Sequence, residues 1–93
     1  MVALLSPSKI QELAALVPDW KIEGKHLILV KTFKDFIQAI EFVNKLVEPS
    51  ETAKHHPDLE ISYNQVTIRL TSHDAGGLTE KDFTLAQQIS ALG

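Results

Sequence analysis

The stretch from Leu59 to Leu70 limits what this chain can fold into more than any other segment. Leu59, Ile61 and Tyr63 alternate with Glu60 and Ser62, and Val66, Ile68 and Leu70 alternate with Thr67 and Arg69. A period of two belongs to a strand with one apolar and one wet face, not to a helix. Asn64 supplies turn chemistry between the two runs. The spacing therefore predicts a β-hairpin. A second hairpin is expected upstream, from Trp20-Lys21-Ile22 through a Glu23-Gly24-Lys25 turn to a β-rich run over His26–Thr32. Leu27, Ile28, Leu29 and Val30 make that run apolar on both faces. One face is expected to meet helices and the other a partner subunit.

Helical spacing fills the intervals. Ser6-Pro7 reads as an N-cap followed by proline at the first helical position, with Ile10, Leu13, Leu16 and Val17 recurring behind it until Pro18 stops the helix. Asp35 opens a second helix with a stripe of Phe36, Ile37, Ile40, Val43 and Val47, and with Phe42 and Leu46 beside it. Pro49 is expected to end or kink this helix, after which Ser50 caps a short turn carrying Glu51, Thr52 and Ala53. Thr79-Glu80-Lys81-Asp82 resembles a capping box, and the helix it opens is expected to bury Leu85, Ala86, Ile89 and Leu92. The order is helix, two strands, helix, two strands, helix. It predicts an α+β fold, αββαββα, in which helices pack on one face of a four-stranded antiparallel sheet.

Length allows one domain over residues 1–93. A chain this short buries only about 60–65% of its unfolded surface, so self-association would help it. With no cysteine, disulfide scaffolds and Cys-based metal or redox sites are excluded. The apolar start Met1–Leu5 is too short for a signal peptide, and no apolar run approaches about 18 residues. A cytoplasmic protein with no membrane association is expected. The net charge of −3 and scattered lysines argue against direct nucleic-acid binding.

The chemistry-bearing residues gather at element ends. His55 and His56 lie between a helix end and Pro57, just before the third strand, and His73 lies just after the fourth. The start of one hairpin strand and the end of its partner lie at the same end of the hairpin. His55, His56 and His73 are therefore expected to converge. Clustered imidazoles suit proton transfer near neutral pH, since histidine titrates at about 6.5. A metal site and unrelated loop histidines are the alternatives. Against metal, cysteine is absent and adjacent side chains rarely point at one centre. Asp82 reads first as the capping residue and second as a partner orienting a histidine, and both can hold at once. Glu51, four residues before His55, could set the tautomer of a neighbouring imidazole. Asp58 reads as a surface residue and His26 as a strand-surface histidine. Trp20, the one tryptophan, reads as a core or interface anchor, or as a wall for a flat ligand. Gly76-Gly77 lacks the spacing and lysine of a phosphate loop.

Glu51-Thr52-Ala53-Lys54-His55-His56-Pro57, followed by Tyr63 and His73, resembles the signature of the pterin-4a-carbinolamine dehydratases. Thr71 to Asp82 resembles that family's second block, and Trp20, Leu29-Val30 and Phe33-Lys34-Asp35-Phe36 fit its first half, so the likeness spans nearly the whole chain. The resemblance implies loss of water from a 4a-hydroxytetrahydropterin, such as 4a-hydroxytetrahydrobiopterin, to give a quinonoid dihydropterin in tetrahydropterin recycling. It implies catalytic roles for His55, His56 and His73, and supporting or substrate-binding roles for Glu51, Asp82, Trp20, Ser72 and Asp74. It implies no metal and no organic cofactor. Family members associate as homodimers or homotetramers. Mammalian members also serve as dimerisation cofactors of a homeodomain transcription factor, and some bacterial relatives resemble Rubisco assembly factors. A second role with a protein partner is therefore left open. Relatives of the second kind tend to lose the histidines, whereas this chain keeps all three. Pro49 departs from the family's continuous helix and puts the placing of Glu51 in doubt.

Overall fold

The structure, a computed structural model, describes residues 3–92. Its elements are α1 (Pro7–Ala14), β1 (Lys21–Glu23), β2 (His26–Thr32), α2 (Phe36–Lys45), α3 (Val47–Ala53), β3 (Asp58–Ser62), β4 (Gln65–Leu70) and α4 (Glu80–Ala91). The four strands form one antiparallel sheet in the order β1-β2-β4-β3. This is the expected α+β arrangement, with the middle helix divided in two. Among the described residues, no helix is long and apolar enough to cross a membrane.

The caps act as their sequences require. The Ser6 hydroxyl accepts from the Lys9 N–H at 3.2 Å, with Pro7 opening α1. The Asp35 carboxylate accepts from the Gln38 N–H at 2.8 Å and starts α2. Asp35→Ala is expected to lower stability by about 1 kcal/mol, read as a lower urea midpoint at unchanged slope. Pro49 explains the division of the middle helix. Its ring cannot sit beneath a helical carbonyl four residues back, so α2 stops at Lys45 and the chain restarts at Val47. Pro49 then lies in the first turn of α3, where an N–H has no intrahelical acceptor. Ser50 is consequently not a cap. It lies inside α3 and is buried.

The register places Leu27, Leu29, Val66, Ile68 and Leu70 on one sheet face, where all are buried. They pack against Ala39, Phe42 and Leu46 of the middle helices and Phe83, Leu85, Ala86 and Ile89 of α4. The helix side of β2 is thus covered, while Val30 on the other face is half exposed. On α2 and α3 the core side runs through Ala39, Phe42 and Leu46. Phe36, Ile37 and Val47, of the stripe expected to lead, are exposed, as is Leu16 beyond α1. Tyr63 leaves its strand. It takes a left-handed φ of 52° in the two-residue connection to β4, and its ring is exposed. Asn64 locks that connection, donating from its amide to the Phe33 carbonyl at 2.9 Å.

Candidate active site

The β3–β4 hairpin pairs Ser62 with Gln65 at its closed end and Asp58 with Arg69 at its open end. His55 and His56 precede the open end and His73 follows it, so all three reach the same end of the hairpin. Each then meets a different carboxylate.

His55 has the most fully built surroundings. Lys54 caps α3 in the left-handed region at φ 53°, and the His55 N–H closes onto the Ser50 carbonyl at 3.1 Å. The helix thus hands the chain directly to the histidine pair, and Pro57 keeps His56 extended. His55 Nε2 lies 2.5 Å from Asp82 Oδ1. Asp82 is wholly buried, and its Oδ2 accepts from the Thr79 N–H at 2.9 Å and from the Ser72 hydroxyl at 2.9 Å. Ser72 Oγ also contacts Thr79 Oγ1 at 2.8 Å. One carboxylate therefore caps α4, ties down the loop after β4 and orients His55. Both sequence expectations for Asp82 hold together. An ionised carboxylate only accepts, so the contact needs a proton on His55 Nε2. Nδ1 is then left as the position for proton exchange with a ligand.

His56 Nε2 lies 2.5 Å from Glu51 Oε2, and the Pro49 break has not separated Glu51 from the histidine pair. Both side chains are more than half exposed. Such a pair contributes about 0–1 kcal/mol, whereas removing one partner of a buried pair costs about 3–5 kcal/mol. Asp82 thus holds His55 much more firmly than Glu51 holds His56. His73 projects from a tight loop closed by the Ser72 N–H on the Gly77 carbonyl at 3.0 Å, with Gly76 at φ 81°. Its Nε2 lies 3.9 Å from Asp58 Oδ2, and both groups are exposed. Asp74 is exposed in the same loop. Among the described residues, no group of three or more His, Cys, Asp or Glu side chains is arranged to hold a metal ion.

One expectation needs correcting. Trp20 is not beside the histidines within one subunit: it is buried and donates its indole N–H to Ser90 Oγ at 2.9 Å. Ser90 lies eight residues beyond Asp82 on α4, about 12 Å at 1.5 Å per residue, so Trp20 anchors the other end of the core. Asp58 is a surface residue, as expected, and its carboxylate lies across from His73. Counting the register back from the hairpin turn could have found it. The sequence marks Thr79 as a cap, and no sequence signal marks its hydroxyl as part of the Ser72–Asp82 network.

Residues 3–92 match the family model described as pterin 4 alpha carbinolamine dehydratase. A protein of a Cyanothece species, provisionally named a pterin-4-alpha-carbinolamine dehydratase, is 61% identical over 92 residues, covering 99% of this chain and 95% of that protein. A Nostoc punctiforme protein with the same provisional name is 60% identical, covering 99% of each. A crystal structure of a transcriptional coactivator/pterin dehydratase from Brucella melitensis superposes with a TM-score of 0.89 at 28% identity, over 95% of this chain and 96% of that one. A pterin dehydratase-like protein identified as a RuBisCO assembly factor in the alpha-carboxysome shares the fold. Its TM-score is 0.63 at 23% identity, over 78% of this chain and 84% of that one.

Proposed function

The chain belongs to the pterin 4 alpha carbinolamine dehydratase family, and from that premise we propose that it eliminates water from a 4a-hydroxytetrahydropterin by histidine acid-base catalysis. The C4a–O bond breaks as a proton is delivered to the leaving oxygen, which departs as water. The N5 proton is removed, and the N5 electron pair forms the C4a=N5 bond of the quinonoid dihydropterin. An acid and a base held on one planar ring supply both transfers. His55 and His73 handle the protons and His56 anchors the pterin. The observation that carries this assignment is the buried Asp82, which takes the Nε2 side of His55 and leaves the Nδ1 side to the substrate.

Self-association as a homodimer or homotetramer accompanies this function. It is supported by the exposed apolar side chains Val30, Leu59 and Ile61 on the sheet and Phe36, Ile37 and Val47 on the helices. A second role with a protein partner is favoured by the coactivator description of the Brucella melitensis protein. A cytoplasmic location is supported by the cysteine-free composition and is checked by cell fractionation.

The test is a stopped-flow assay with freshly made 4a-hydroxytetrahydrobiopterin. The wild-type chain should speed dehydration, with the same rate before and after chelation. His55→Gln, His56→Gln and His73→Gln should each lower the rate by about tenfold or more. Wild-type turnover in all three variants removes the histidines from the chemistry, and no acceleration by the wild-type chain removes the dehydratase function itself.

A further inference from the structure

We propose that the buried hydroxyls of Ser72 and Thr79 position His55 for the dehydration, through a one-way hydrogen-bond chain that ends on Asp82; this rests on the dehydratase function above. The direction of the chain follows from counting protons. A hydroxyl has one proton to donate, and an ionised carboxylate has none. The Ser72 proton is spent on Asp82 Oδ2 at 2.9 Å. In the 2.8 Å contact between the two hydroxyls, Ser72 therefore accepts and Thr79 donates. Protons point from Thr79 to Ser72, from Ser72 to Asp82, and from His55 to the other carboxylate oxygen. Ser72 is 2% exposed, and Thr79 and Asp82 are fully buried. Away from water such bonds polarise and strengthen one another.

Ser72 is a positioning residue rather than a contact to the pterin, because its one proton is spent and its side chain is buried. It also joins the two histidines that handle protons. Its side chain ties to Asp82, and hence to His55. Its backbone closes the loop that begins with His73: the Ser72 carbonyl accepts from the Gly76 N–H at 2.9 Å, and the Ser72 N–H donates to the Gly77 carbonyl at 3.0 Å. The bond between the hydroxyls ties that loop at its far end, since Thr79 is the N-cap of α4. A serine that loses this second partner is free to leave the rotamer that serves Asp82. The carboxylate then loses one of the two donors that hold Oδ2 and aim Oδ1 at His55.

The experiment measures kcat and KM of the full chain with freshly made 4a-hydroxytetrahydrobiopterin, beside its imidazole 15N spectrum. Thr79→Val deletes the hydroxyl, keeps the shape and leaves the backbone N–H on Asp82. It should lower kcat by about three- to tenfold, the range one net hydrogen bond provides, with KM unchanged. Thr79→Ser returns the hydroxyl and should restore wild-type kcat. Ser72→Ala deletes a donor to a charged group and should lower kcat by about ten- to hundredfold, again with KM unchanged. In Thr79→Val and Ser72→Ala the 15N shifts of His55 should move, while those of His56, bonded to Glu51, stay. In an Asp82→Asn background Thr79→Val should have no further effect, because the chain acts through that carboxylate. Thr79→Val and Ser72→Ala are independent, so either one that folds decides. Wild-type kcat in the folded variant, unmoved His55 shifts, a loss that Thr79→Ser does not restore, or an additive loss in Asp82→Asn each overturn the proposal and leave the dehydratase function standing. Absence of turnover by the wild-type chain ends the dehydratase function, and this inference with it.

Discussion

Asp82→Asn is expected to keep the chain folded and to lower turnover by about 10²–10⁴-fold. The carboxylate serves three neighbours, the Thr79 N–H, the Ser72 hydroxyl and His55. An asparagine carbonyl can still accept from the helix cap, so α4 keeps its start. The amide NH2 must then face His55, which turns the Nε2 side of the ring from donor into acceptor. The proton moves to Nδ1, and the side left for the substrate carries the wrong tautomer. The imidazole 15N shifts of His55 should report that change, whereas a purely structural role for Asp82 would leave them where they are. Asp82→Ala is a different experiment. It strands the Ser72 hydroxyl and the Thr79 N–H in a buried site, and a penalty of about 3–5 kcal/mol is expected. Wild-type turnover in folded Asp82→Asn would separate His55 from any dependence on Asp82.

Ile68→Ala should cost about 2–5 kcal/mol, measured by urea unfolding. Ile68 is fully buried in β4, which lies between β2 and β3, and its register neighbours are Leu29 and Leu59. Truncation there leaves a cavity at the centre of the sheet. Small domains have only about 5–15 kcal/mol of stability in total. Val30→Ala is the control. Val30 is also apolar and lies on the adjacent strand, but its side of β2 is half exposed, so a change within about 0.5 kcal/mol is expected if the chain is monomeric. A larger loss at Val30 than at Ile68 would mean that the uncovered sheet face carries the core. A concentration-dependent loss at Val30 would instead locate a subunit contact there.

Local chemistry made much of this legible in the sequence. Ser6-Pro7 and Asp35 begin helices because a side-chain oxygen beside unpaired N–H groups has few other uses. The hairpins follow from alternation and turn residues, and hairpin arithmetic then carries His55, His56 and His73 to one end. What could not be read was decided by packing. Two apolar stripes run side by side on α2, and periodicity does not say which of them the sheet covers. Ala39, small and unremarkable, lies in the core, while Phe36 and Ile37 lie outside it. Trp20 reads first as a core or interface anchor and second as a ligand wall, and its indole N–H on Ser90 of α4 decides for the core. The break at Leu46 was signalled by Pro49. The burial of Ser50 was not, because it depends on the packing of α3 against the rest of the molecule.

The most direct test of the central claim is an imidazole NMR titration of the wild-type chain with a stable dihydropterin. The signals of His55, His56 and His73 should move together along one binding curve. His26, on the sheet face away from the helices and paired across from Glu23, should stay still. Saturation that shifts His55 and His56 while His73 does not move would contradict a single site built from all three.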